Sequence, residues 1–157
     1  MSQTNELEIM ERIALDLERV EESLASSFNT GAEDFNALIR PLSAAGGKRL
    51  RAQLCLLIAN AGTSIERQRI KIAEAVEMLH LATLIHDDVL DQAEIRRGED
   101  TIHMHKGNKV AILSGDYLFA KAFKIVSEMT NMKYLQVFSH IITCLVEGEF
   151  MQMEDVY

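Results

Sequence analysis

The chain has 157 residues, 48% of them hydrophobic, with 16 lysines and arginines against 24 aspartates and glutamates for a net charge of −8. That length suffices for one domain with its own core, and the acid excess argues against nucleic acid, which needs a basic footprint. No run reaches the ~18 apolar residues of a membrane span, and MSQTNELEIMER lacks the basic start and apolar run of a signal peptide, so a cytoplasmic protein that does not span a membrane is expected.

In chain order the reading is all-α. Leu7, Met10, Ile13, Ala14, Leu17 and Val20 recur at helical spacing, predicting an amphipathic helix from about Asn5 to Ser27. A second helix runs from about Ala32 to Leu42 and is interrupted near Pro41, the single proline. Ser43 to Gly47 reads as a loop and Lys48 to Ala61 as a helix, which Gly62 and Thr63 end. Ser64 is the predicted N-cap of a long helix to Asp91. Gln92 to Asn108 reads as a loop, followed by helices near Lys109–Met129 and Met132–Val156. Cys55 and Cys144 lie within helical patterns without metal-ligand spacing and read as reduced core thiols. Met129, Met132, Met151 and Met153 read as core or partner surface.

Chemistry concentrates between Val76 and Gly98, VEMLHLATLIHDDVLDQAEIRRG. Asp87 and Asp91 are four apart, so a helix stacks the two carboxylates on one face. Like charges so placed cost roughly 0.2–0.5 kcal/mol, and a divalent cation removes the cost. Oxygen ligands favour Mg²⁺, which completes its shell with water and substrate phosphates. Asp88 points away from that edge and is expected to support it. Arg96 and Arg97 offer forked cations that suit phosphate oxygens. Upstream, Gly46 and Gly47 precede a helix start, where backbone N–H groups receive anions, and Lys48 and Arg51 share a helix face while Arg49 points elsewhere. The ordinary alternative, a solvated helix end with paired charges, explains any one of these residues. It explains the set poorly, because acids crowd an end where the macrodipole favours cations.

HDDVLD followed by RRG resembles the first aspartate-rich motif of the trans-prenyl diphosphate synthases, the head-to-tail isoprenoid elongases. GGKRLR at Gly46 to Arg51 and GNKVAILSGDYLFAKAF at Gly107 to Phe123 are similar to that family too. Ala52 stands where family members usually carry proline. The resemblance runs from roughly Leu38 to Gln152 but covers only the N-terminal half of a family member. Residues 1–157 are therefore expected to be the N-terminal part of a single all-helical prenyl synthase domain, a bundle of the isoprenoid synthase type. The second aspartate-rich motif is absent, so the chain alone is expected to be inactive.

The resemblance implies a Mg²⁺-dependent polyprenyl diphosphate synthase. Asp87, Asp91 and Asp88 would form the metal edge, and Asp87, Asp91 and Arg96 the catalytic set on an allylic diphosphate. Lys48, Arg51, His80 and Arg97, with Gly47 and Arg49 beside them, would hold the diphosphate of isopentenyl diphosphate, and Arg96 would grip the allylic one. His80 lies two turns before Asp87, where a lone histidine is otherwise most often a satisfied core residue. His86 receives no role, and His103 and His105 read as loop residues. Ser114 and Gly115 are expected to allow close helix packing, Glu147 and Glu149 to be partly structural, and Gln152 to reach toward the allylic side. Ala82 and Thr83, about 6–7.5 Å back along the helix from Asp87, would floor the space for the growing tail. Because both are small, a medium- or long-chain all-trans product suited to quinone side chains is expected. A homodimer, or pairing with a C-terminal half or partner subunit, is also expected. Two alternatives stand beside this reading. One is an HD-type metal phosphohydrolase using His80, His86, Asp87 and Asp116; the other is a non-catalytic subunit or fragment.

Overall fold

The computed structural model describes residues 3–28, 33–44, 47–62 and 65–156. Their elements are α1 (Gln3–Ser27), α2 (Glu33–Ala44), α3 (Leu50–Ala61), α4 (Glu66–Leu90), β1 (Ile95–Arg96), β2 (Glu99–Asp100), α5 (Ile102–Lys106), α6 (Asn108–Ser127) and α7 (Met132–Val156). The architecture is all-α, and α4 is its axis: α6 packs along one side of it, α1 and α3 on another, and α7 rests on α6.

The core between these helices is built from Val20 and Leu24 of α1, Phe28 just after it, Leu56 of α3, Met78 of α4, and Leu118 and Val126 of α6. Three buried acidic groups fix how α1, α3 and α4 sit on one another. Glu74 accepts hydrogen bonds from Ser23 Oγ at 2.7 Å, Ser27 Oγ at 2.8 Å and Lys71 Nζ at 2.8 Å. Asp16 receives the Arg69 fork at 2.6 and 3.2 Å. Glu77 accepts the Ala52 backbone N–H at 3.0 Å and pairs with Arg49 Nη1 at 3.6 Å. A buried carboxylate left without its partners is costly, so only one axial register of these helices satisfies all three.

Several sequence expectations are corrected. Helix α2 continues through Pro41 to Ala44 instead of breaking near Pro41. Proline forfeits one backbone bond in what is already the last turn, while Ile39 is buried and Phe35 meets Tyr117 edge-on at 4.8 Å. Helix α3 starts at Leu50, so Lys48 precedes it rather than sharing a face with Arg51. The expected loop from Gln92 to Asn108 contains the β1–β2 hairpin and α5, which places His103 and His105 on a helix. Cys144 is exposed rather than core, with its sulfur 3.6 Å from His140 Nε2, whereas Cys55 is half-buried, and burial pushes its thiol up. Ser64 and Gly46 lie outside the described residues. Among the described residues, no helix is long and apolar enough to cross a membrane.

Candidate functional site

The site forms where the C-terminal half of α4 meets the start of α3 and the hairpin. Arg97 and Gly98 are the two residues joining β1 to β2, with φ of +55° and +85°. Two consecutive positive φ values make a type I′ turn, whose twist matches paired strands, and glycine accepts its share without a Cβ penalty. Arg96 pairs with Glu99 across the ladder, so RRG is read out as one arginine on a strand and one at the turn tip. The hairpin base is closed by Thr101: its hydroxyl donates to the Ala93 carbonyl at 2.8 Å and so accepts from His103 Nδ1–H at 2.9 Å. That gives His103 a bracing role the sequence did not reveal.

Arg97 reaches back to the chain before α3. A Cβ added at Gly47 would lie 3.3 Å from Arg97 Nη2, so the missing side chain leaves space for the guanidinium. On α4, His80 Nε2 accepts from Arg51 Nη1 at 3.1 Å. Burial and the charges of Arg51, Arg97, Arg49 and Arg96 lower the His80 pKa from 6.5 to about 4. Arg51, His80, Arg97 and Gly47 are thus brought together in a cationic recess with a neutral imidazole. Lys48 is exposed beside it. Arg49 does not join them. Its side chain is buried with φ +44°, donates through Nε to Glu21 at 2.5 Å and pairs with Glu77. It is a bolt between α1, α3 and α4 rather than a substrate contact.

Asp87 and Asp91 lie one turn apart at the end of α4, where the Asp91 N–H still bonds the Asp87 carbonyl at 2.8 Å. Burial, Glu149 of α7 and then Asp91 raise the Asp87 pKa above its ordinary value, against the lowering effect of Arg96. Burial first and neighbouring negative charge second make this carboxyl resist ionisation, a cost that a divalent cation would relieve, and two carboxylates are donors of the kind Mg²⁺ takes. Glu149 is the member that sequence reasoning missed, since no spacing rule ties α7 to α4. Among the described residues, no three His, Cys, Asp or Glu side chains converge into a ready-made ligand cluster. Asp88 turns inward and forms an ion pair with Arg96, apart from the Asp87–Asp91 edge.

His86, given no role from sequence, docks α4 on α6. Its Nε2 donates to the Ile112 carbonyl at 3.1 Å, lies 3.4 Å from Asp116 Oδ1, and its ring stacks on Phe119. That use of His86 and Asp116 leaves the histidine/aspartate hydrolase set unassembled. Ala82, one turn before His86, is fully buried, whereas Thr83 stays half-exposed and bonds the His80 carbonyl at 2.8 Å. Of the two expected floor positions, only Thr83 is partly exposed.

A neutral His80 in the fold has a testable consequence. As pH falls from the ordinary 6.5 toward 4, the unfolded chain takes up a proton that the folded chain refuses, so His80 removes stability over that window. In an NMR titration the His80 ring should show a midpoint near 4, and inorganic diphosphate should raise it by neutralising the arginines. A midpoint that stays near 6.5 would show that the recess does not form.

The polyprenyl synthetase family model matches residues 32–157. The octaprenyl diphosphate synthase of Escherichia coli is 32% identical over 148 residues, covering 94% of this chain and 46% of its own. Heptaprenyl diphosphate synthase component 2 of Geobacillus stearothermophilus is 38% identical, covering 90% of this chain and 44% of its own. The crystal structure of a Caulobacter crescentus polyprenyl synthase, complexed with calcium and isoprenyl diphosphate, superimposes with a TM-score of 0.86 at 35% identity. That match covers 92% of this chain and 44% of the other. The chain spans less than half the length of these relatives.

Proposed function

The chain belongs to the polyprenyl synthetase family, and on that premise we propose that it supplies the diphosphate-binding part of a polyprenyl diphosphate synthase. Residues 1–157 then form the N-terminal part of one all-helical prenyl synthase domain. The observation that carries this is the convergence of Arg51, His80 and Arg97 within one recess beside the Asp87–Asp91 edge. In this reading Lys48, Arg51 and Arg97 hold the diphosphate of isopentenyl diphosphate, each cation drawing charge from oxygens that water would otherwise solvate. His80 stays neutral there, and because Arg51 donates to its Nε2, its Nδ1 carries the proton and is available as a donor.

Arg96 receives the allylic diphosphate. Mg²⁺ bound by Asp87 and Asp91 would supply positive charge to the departing diphosphate. The guanidinium of Arg96 meets the same developing charge from the hairpin side, where fixed donors cost no reorganisation. The allylic C–O bond breaks to release diphosphate, the isopentenyl double bond attacks the resulting cation, and a proton passes to the released diphosphate to restore the alkene. We infer a medium- or long-chain all-trans product, suited to quinone side chains. Thr83 is small and half-exposed, and the relatives above include octaprenyl and heptaprenyl synthases. A cytoplasmic location is part of the same proposal.

Assembly is part of the proposal. Val137, Ile141, Leu145 and Phe150 of α7 and Leu50, Leu54 and Ile58 of α3 are exposed. Apolar surface of that extent marks a partner face, supplied by a second copy or by a segment equivalent to the rest of the relatives' length.

The reading is tested by binding. Arg97→Ala and Lys48→Ala should each weaken isopentenyl diphosphate binding by about tenfold, the worth of one charge-assisted hydrogen bond. Helical content should stay as it is. Unchanged affinity in both variants by calorimetry would remove the recess from the substrate site.

A further inference from the structure

Asp88 is adjacent in sequence to the first carboxylate of the metal edge, yet its surroundings are different. It sits about 100° around α4 from Asp87 and is 6% exposed. Its Oδ1 accepts from Arg96 Nε, and its backbone carbonyl accepts the Ala93 N–H at 3.0 Å. Main chain and side chain of one residue therefore tie the arm of the hairpin to α4. Among the described residues, neither Nη group of Arg96 has a hydrogen-bond partner. An arginine clamped through Nε keeps its planar Nη pair as a fork in one orientation, the arrangement that suits bidentate phosphate recognition. A carboxylate already committed to a guanidinium in a buried setting is a poor metal ligand, because a cation would have to displace Arg96 and leave it unpaired.

We propose that Asp88 is a positioning residue for Arg96: it stands outside the cation shell of Asp87 and Asp91 and fixes the guanidinium that receives the allylic diphosphate. This rests on the diphosphate-binding reading above. It divides three neighbouring carboxylates into two functions, with Asp87 and Asp91 toward the cation and Asp88 toward the arginine.

The experiment uses the whole chain and inorganic diphosphate as probe, titrated calorimetrically with EDTA and again with Mg²⁺. With EDTA, Asp88→Ala should weaken binding about tenfold, as Arg96→Ala does, and the double variant should be no weaker than Arg96→Ala alone. Asp88→Asn keeps an oxygen facing Nε and should recover part of the loss. The factor by which Mg²⁺ tightens binding should be the same in Asp88→Ala as in the unsubstituted chain. Loss of that factor in Asp88→Ala, or a further loss on adding it to Arg96→Ala, overturns the proposal.

A second readout needs no ligand. The Arg96 Nε–H should give a slowly exchanging NMR signal that Asp88→Asn shifts and Asp88→Ala removes. An Arg96 Nε–H exchanging as fast as those of exposed arginines also overturns the proposal. A chain that binds no diphosphate while showing the protected signal contradicts the functional reading, and with it the receiving role of Arg96. The Asp88 anchor alone would survive that result.

Discussion

Replacing Gly115 by alanine is expected to damage the site from the far side of α4. The added Cβ would lie 2.2 Å from His86 Nε2 and 2.4 Å from its Cδ2, closer than any real contact. Neither side yields easily: the ring is held by the Ile112 carbonyl and Phe119, and Gly115 is buried within α6. Overpacking of this kind costs about 1–3 kcal/mol, and expelling the ring forfeits its hydrogen bond, worth about 1 kcal/mol more. Asp87 follows His86 in the chain, so a displaced His86 carries the Asp87–Asp91 edge with it. A shift of about 1 Å in such a group typically costs two orders of magnitude in function. Adding His86→Ala to Gly115→Ala should restore stability above that of Gly115→Ala alone, because it removes the clash. A double variant less stable than either single one would contradict the wedge.

The largest loss of stability is expected from Arg49→Met. It leaves Glu77 buried with one backbone N–H and no countercharge, and removes the partner of Glu21. Breaking a buried pair from one side costs about 3–5 kcal/mol, a large part of the stability of a domain this size. At about 2–4 °C per kcal/mol, the melting temperature should fall by roughly 10 °C. Adding Glu77→Gln, which keeps the bond to Ala52 without the charge, should recover most of the fall. If Arg49→Met melts with the unsubstituted chain, Arg49 is not the bolt described here. A diphosphate contact at that position would then have to be reconsidered.

Arg49 also shows what sequence alone reveals here. Its charge was visible, but its burial follows from a φ of +44°, which turns the side chain toward α1 and α4. Helical spacing set Arg49 apart from Lys48 and Arg51, but nothing in GGKRLR announces that turn or the burial that follows from it. The hairpin was hidden for a related reason. Its strands are two residues each, too short for alternation, and its I′ turn uses Arg-Gly where Asn-Gly would be the usual signal. The long helices were legible because 3.6-residue periodicity over many turns leaves little choice, and α7 is found at the bounds read from sequence. The Asp87–Asp91 stack followed from that periodicity alone. Glu149 did not, since its approach to Asp87 depends on how α7 lies across α6.

In the proposed function, the Asp87–Asp91 edge and the arginine recess together form a cation-assisted diphosphate site. The most direct measurement is calorimetric titration of the chain with inorganic diphosphate, with and without Mg²⁺, repeated on Asp87→Asn. Mg²⁺ should tighten binding at least about tenfold, and Asp87→Asn should abolish the tightening while metal-free binding to the arginines persists. The tightening should also fade as pH drops, because the raised Asp87 pKa makes its carboxylate protonate early and a metal needs the ionised form. Equal Mg²⁺ enhancement in Asp87→Asn, or no enhancement in the unsubstituted chain, would contradict the proposed function.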